Sequence, residues 1–323
     1  MEIRAIDTLP AELEGSWGSL VWSDGSPPLD RALYRKARSL GVPFSDYTGV
    51  LAIDAGEVLA QIVVGRLRLT TRRESETFAA IEDVCTRPDA IGRGLSSLLF
   101  REVHDRETRA RIGLSLLWTR RSWGAHRLYE KLGYRDVYSP GSAVLPPPPD
   151  PSVRLPAGFT TRRVRRSELG VLEGLLARAH RGRIGFVDRF RDSFRARVAL
   201  GWRSAKDFHL LLRASRPVGY FYATEEGRRQ VGIYEAVVPD RRLQAAMLDA
   251  IRSYAGRRWV TLGTSTFVRD AAGLLREKGF LLRPESHIVL MARSLTGAPT
   301  SRTAELRRLM RDPRFFCHGG DMF

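Results

Sequence analysis

The chain has 323 residues, 43% of them hydrophobic, which is enough to bury a sizeable core and to make two domains rather than one. That composition excludes a disordered or collagen-like chain. The net charge of +17 is carried almost wholly by arginine, because lysine stands only at Lys36, Lys131, Lys206 and Lys278. Arginine scattered through helical and strand patterns reads as a solvated surface, and with no recognition motif beside it nucleic acid is not an expected partner. Cys85 and Cys317 are the only cysteines, and no histidine has ligand spacing, so neither a disulfide framework nor a metal site is expected. The N-terminus has no basic segment followed by an apolar one, and no apolar run approaches a membrane span, so a soluble cytoplasmic protein is expected.

In chain order, the alternation in IRAID at 3–7 predicts a first strand, and Pro28 to Gly41 predicts a helix that gives way to a loop from Ser45. Two β-branched runs flank Asp54-Ala55-Gly56, a hairpin signal. After the polar turn TTRRESET, FAAIEDVCT makes the third strand of a meander and feeds a glycine turn. A helix to about Arg109, a buried strand at 112–119 and a helix at 123–133 closed by Gly133 follow. YRDVYS and SAVL are expected to pair with each other and complete the unit. Pro140, Pro146 to Pro149, Pro151 and Pro156 then crowd into a stiff segment that cannot join a central strand. The boundaries drawn are a first domain at 1–150, a proline-rich linker at 151–158, a second domain at 159–296 and a tail at 297–323.

The second half repeats the first in outline. FTTRRV at 159–164 restarts with a strand, and RDAAGLLREKGF is the counterpart of WGAHRLYEKLGY. Aligned without gaps, Gly133-Tyr134 matches Gly279-Phe280, and Ala143-Val144-Leu145 falls on Val289-Leu290-Met291. The chain reads as a tandem duplication.

Val84 to Phe100 carries the most informative chemistry. Strand residues stop at Thr86-Arg87-Pro88-Asp89, pass through Gly92-Arg93-Gly94, and open a helix at Leu95. Glycines let backbone approach a ligand, and the first turn of a helix offers unpaired N–H groups, so the segment suits a pyrophosphate. By its own residues it is equally a plain turn, since neither a Walker loop nor a dinucleotide fingerprint is present.

With the order of elements, two motifs resemble the GNAT superfamily of N-acetyltransferases, over essentially all of 1–145 and more weakly over 159–296. The family binds the acetyl-CoA pyrophosphate with [QR]-x-x-G-x-[GA], and the aligned residues are Ile91, Gly92, Arg93, Gly94, Leu95 and Ser96; Ile91 and Ser96 depart from the pattern. The family's later helix, N-x-x-A-x-x-L-Y-E-K-L-G-F, is matched from Ser122 and Ala125 through Tyr129 to Tyr134. The resemblance implies an α/β (α+β) fold of two tandem GNAT-like domains, each with a mixed, mostly antiparallel sheet. It implies acetyl-CoA as cosubstrate, Tyr129 as general acid, and backbone around Val84, Cys85 and Thr86 as the group that polarises the thioester. Glu82 stands nine residues before Ile91, where several amine-acetylating members place a glutamate base. Strand alternation puts Asp83 on the opposite face unless a bulge intervenes. A phenol of pKa about 10 can protonate a thiolate whose acid lies near 8.5, whereas a Glu of about 4.3 taking a proton from an ammonium of about 10.4 faces roughly 8 kcal/mol. Desolvation or a water chain must help the base.

The second half lacks this equipment: Pro239 to Ala246 has no glycine, and Leu275 stands where Tyr129 would be. Covering a sheet edge, walling the acceptor cleft or mediating a homodimer suits it. The expected activity is direct acetyl transfer to a primary amine of a small molecule in the first domain. Acetylation of protein lysine or N-terminal amines, and non-catalytic acyl-CoA sensing, are the alternatives. In mycothiol synthase, another tandem GNAT fold, the catalytic half is the second one. In some tandem GNAT proteins the C-terminus reaches the active site, which here would bring in Phe323.

Overall fold

The structure is a computed structural model that describes residues 1–23, 36, 39–40, 49–71, 75–147, 154–185, 192–263, 271–296, 299–312 and 315. The strands and helices form two seven-stranded mixed sheets, each flanked by helices on both faces. The helix expected at 28–41 and the loop after it lie almost wholly outside the described residues.

The first sheet starts with β1 (Glu2–Ala5), antiparallel to β2 (Val50–Asp54), which turns through Ala55 and Gly56 into β3 (Glu57–Thr70). Both turn residues have positive φ, +49° and +77°, the twist a two-residue hairpin needs. The long β3 pairs with β4 (Ser75–Thr86), and β4 runs parallel to β5 (Leu114–Arg120). Helices α2 (Leu95–Arg109) and α3 (Gly124–Lys131) cover one face through Leu95, Leu99, Phe100 and Tyr129. The opposite face is covered near β1 by α1 (Glu14–Ser23), through Trp17, Leu20 and Val21.

The last two strands of the first half do not pair with each other. β6 (Arg135–Tyr138) stays in the first sheet, while β7 (Ser142–Leu145) crosses into the second. The second sheet is otherwise made of β8 (Phe159–Arg163), β9 (Phe208–Arg213), β10 (Arg216–Glu225), β11 (Gln230–Val237), β12 (Trp259–Gly263) and β13 (Leu281–Arg283). β7 lies between β12 and β13, antiparallel to both. In return β14 (Ile288–Ser294) fills the gap between β5 and β6. The exchange is reciprocal, and the segments exchanged are the two that align in sequence. Val289 and Met291 enter the core under α2 and α3, while Leu290 and Ala292 enter the core on the other face, as a central strand buried on both sides requires. Proline and glycine at 140–141 turn the chain across. At the crossing Ser139 Oγ donates to the carbonyls of Ser286 (2.9 Å) and Ile288 (3.0 Å), and Ser286 N–H donates to Pro140 (2.8 Å).

Around the second sheet, α4 (Leu169–Ala179) and α5 (Ser193–Ala199) cover one face, and α6 (Gln244–Ala255) and α7 (Ala271–Glu277) the other. The tail contributes α8 (Pro299–Met310), which packs Leu306 and Met310 on the first sheet. Phe315 joins that core edge-on to Tyr138. Residues 316–323, Phe323 among them, lie outside the described residues.

Candidate active site

The glycine turn sits where β4 ends. Pro88–Ala90 form one 3-10 turn, Gly92 has φ +87°, and Gly94, the residue before α2, has φ +77°. No side chain caps α2, so its first N–H groups remain open to a ligand. A Cβ placed on Gly92 or Gly94 would meet nothing within 4 Å, so open space lies beside both glycines. Arg93 pairs with Asp54 (2.9 Å), which holds that carboxyl below its usual range, and Arg87 pairs with Asp89 and Glu57 (2.6 Å each). Ile91 is 69% exposed, and Ser96 Oγ shares a 2.9 Å hydrogen bond with Thr86 Oγ1, tying the helix start to the strand end. Gly94→Ala should cost about 1–2 kcal/mol of backbone strain and put a methyl into the open space. Calorimetry should then show acetyl-CoA affinity falling by about tenfold; unchanged affinity would mean the phosphates sit elsewhere.

Four residues earlier β4 bulges. Val63 pairs with Glu82 and Gln61 with Cys85, so Asp83 and Val84 together face Ile62, and Asp83 takes φ +40°. The bulge therefore replaces the plain alternation that set Glu82 and Asp83 on opposite faces. Parallel pairing with β5 ends at Ile81–Leu117, leaving the edge of β4 from Glu82 to Thr86 outside that ladder. Glu82 keeps a little exposure as a residue, yet its Oε1 is shut off from solvent and has no hydrogen-bond partner. Burial, helped by the Asp83 carboxylate and opposed by the Arg197 guanidinium, pushes the Glu82 carboxyl up to about 8. Arg197 belongs to α5, so the second half brings a charge to this site. Cys85 is 3% exposed and faces the α1 side with Leu51 and Val63, while Val84 packs on the opposite side with α2 and α3.

Tyr129 lies on α3, 7% exposed, edge-on to Phe100 (5.6 Å between centroids) and Tyr134 (6.1 Å). Tyr134 is fixed by hydroxyl contacts to Ser115 Oγ (2.6 Å) and His104 Nε2 (2.9 Å), and burial lowers His104 to about 3, so the imidazole is neutral. Val84, Leu95, Ala125 and Tyr129 thus share one cluster, whereas Ser122 stands exposed before the helix. Sequence reasoning did not reach Arg197, nor Gln61, a fully buried amide on β3 that donates to the Asp83 carbonyl (3.1 Å). A polar residue in the apolar run LAQIVV was the available signal for Gln61.

Residues 46–136 match the family model for the acetyltransferase (GNAT) domain, which covers the meander, the bulge, the glycine turn and α3. Across both sheets the fold is similar to that of a tandem GNAT protein from the clavulanic acid biosynthesis pathway (13% identity, 92% of this chain and 99% of that one, TM-score 0.57). Residues 46–136 therefore carry the GNAT match, and the two sheets together have the fold of a tandem GNAT protein. The chain is likewise similar to GCN5-related N-acetyltransferases from Kribbella flavida (18% identity, 91% and 72% covered, TM-score 0.63) and Anabaena variabilis (16%, 91% and 73%, TM-score 0.66). No curated protein sequence matches it. The second GNAT-like unit keeps a bulge in β11, at Tyr234, but its turn has no glycine, and the Asp240 carboxylate accepts from Arg242 N–H (3.0 Å) there. Glu235 there is buried and takes the Tyr220 hydroxyl, and Leu275 is 1% exposed with no proton to give. Among the described residues no group of acids, histidines or cysteines is arranged to hold a metal, and no helix is long and apolar enough to cross a membrane.

Proposed function

We infer that this GNAT protein moves the acetyl group of acetyl-CoA directly to a primary amine of a small molecule, in a site built on the first sheet. The observation that carries this reading is Glu82, a carboxyl held near pKa 8 whose buried Oε1 has no hydrogen-bond partner, at a bulge beside an open glycine turn. Raised to about 8, Glu82 stands roughly 2.4 units below an ordinary ammonium, and the cost of taking its proton falls from about 8 to about 3 kcal/mol. Burial thus supplies the help that a solvated carboxylate would need. Arg197 close by favours the neutral amine over the ammonium and disfavours a polycationic acceptor.

The N–H groups of the first turn of α2, at Leu95 and Ser96, suit the pyrophosphate, and the edge of β4 beyond its ladder with β5 suits the thioester arm. Acetyl-CoA supplies the activated acyl group; the chain supplies the rest. Backbone N–H at Val84 or Thr86 stabilises charge developing on the thioester oxygen, Glu82 takes the amine proton, and the Tyr129 phenol gives one to the departing thiolate. A donor that does not cross membranes unaided fits a cytoplasmic enzyme.

Acetyl-CoA at a hundredfold excess over its Kd should stabilise the protein by about 2.7 kcal/mol in thermal unfolding. No shift with any acyl-CoA would sink the reading. Tyr129→Phe should keep that shift while losing about a hundredfold in kcat. Thiol release across a panel of small amines, against a panel of peptides, then separates a metabolite acceptor from a protein one, and release with neither would leave an acyl-CoA sensor.

A further inference from the structure

Gln61 is fully buried among Leu59, Ala60, Ile62, Val63 and Val64 of β3, and its amide meets the Trp17 indole, the Asp83 carbonyl and the Cys85 sulfur. Its Oε1 accepts the Trp17 indole N–H at 2.6 Å; its Nε2 donates to the Asp83 carbonyl at 3.1 Å and lies 3.8 Å from Cys85 Sγ. An indole nitrogen can only donate, so Trp17 forces the amide oxygen toward α1 and the NH2 toward the bulge. Trp17 is 1% exposed and cannot swing away without opening the α1 core.

The bulge gives this contact its consequence. Asp83 has left the ladder with β3, and a side chain of that strand now donates to its carbonyl. That side chain is Gln61. In a trans peptide the carbonyl of one residue and the N–H of the next point in opposite directions. Fastening the Asp83 carbonyl on the β3 side therefore turns the Val84 N–H toward the other edge, where the ladder with β5 has already ended. Arg87 N–H returns to Leu59 on β3 at 2.8 Å, and alternation back along the strand agrees with that direction for Val84.

Resting on the acetyl-transfer reading above, we propose that Gln61, locked by Trp17, is a positioning residue that aims the Val84 N–H at the thioester carbonyl. The amide holds against strain, because Asp83 is a non-glycine residue at φ +40°. Without the amide the Asp83–Val84 peptide is free to rotate back toward regular strand geometry, and the donor leaves the oxygen.

Gln61→Met keeps the length of the side chain and removes both hydrogen bonds. It should lower kcat by about 10- to 100-fold, because a complete oxyanion donor is worth about 10² to 10³, while Kd for acetyl-CoA stays within about twofold. Trp17→Phe, which frees the amide to flip, should give a smaller loss in the same direction. Infrared spectra of bound acetyl-CoA labelled with ¹³C at the carbonyl should show the stretch lowered in the wild type and returned toward its solution value in Gln61→Met. A wild-type stretch at the solution value overturns the proposal whether or not the variants fold, and so does an unchanged kcat in folded Gln61→Met. Failure of the wild type to release thiol with any amine, despite binding acetyl-CoA, would instead remove the functional reading.

Discussion

Glu82→Gln should lower kcat/KM by about 10²- to 10⁴-fold at pH 8 and leave acetyl-CoA affinity within about twofold. The amide keeps the shape of the side chain but cannot take a proton. In the wild type the rate should rise with pH to a plateau with a midpoint near 8, where burial places this carboxyl, and that limb should vanish in the variant. Stability offers a second readout with a definite sign. The folded value of about 8 lies above the ordinary 4.5, so between those pH values the unfolded chain gives up a proton that the folded chain retains. Unfolding is then favoured increasingly as pH rises from 4.5 to 8, up to a limit on the order of 4 kcal/mol. Relative to the wild type, Glu82→Gln should accordingly gain roughly 3 to 6 °C in Tm between pH 5 and pH 8.5. A variant that keeps turnover within about threefold would show that the buried carboxyl is not the base.

A chain ending at Pro147 should fail to fold, although it contains every residue assigned a step in the transfer. It lacks β14, and with it Val289, Leu290 and Met291, none more than 5% exposed, from two cores of the first sheet. Burial of side chains this size is worth about 1.5–3 kcal/mol each, so their loss together approaches the whole net stability of a typical protein, about 5–15 kcal/mol. β5 and β6 would also be left with unpaired edges. Circular dichroism and amide exchange should find no cooperative core in the fragment. Co-expression with residues 148–323 should restore it, because the missing strand returns in trans. A fragment that melts cooperatively alone would mean that β14 is dispensable.

Much of this was legible in the residues. Ala55-Gly56 specified the hairpin because only residues that tolerate positive φ close it, and Gly92 and Gly94 proved to be where the backbone takes that same conformation. The apolar spacing of Leu95, Leu98 and Leu99 marked α2 as a helix; Leu95 and Leu99 lie in its buried face with Phe100, while Leu98 is half-buried. The strand exchange was not legible for a physical reason: Ala143-Val144-Leu145 and Val289-Leu290-Met291 are interchangeable by hydrophobicity, so pattern alone cannot say which sheet each enters. The bulge was foreseen only as an exception to alternation, since nothing in Glu82-Asp83-Val84 marks Asp83 for positive φ. The elevated carboxyl and the reach of Arg197 arise from long-range burial, which no local window contains.

The exchanged strand also sets a schedule. β14 leaves the ribosome about 150 residues after β6, and at 5 to 20 residues per second the first sheet waits roughly 10 to 30 s for its sixth strand to appear. During that interval the nascent chain exposes the facing edges of β5 and β6, the kind of surface on which chaperones act and aggregates begin. A second half without those glycines and that tyrosine is thereby still needed: deleting it would leave the first sheet unfinished at every round of synthesis.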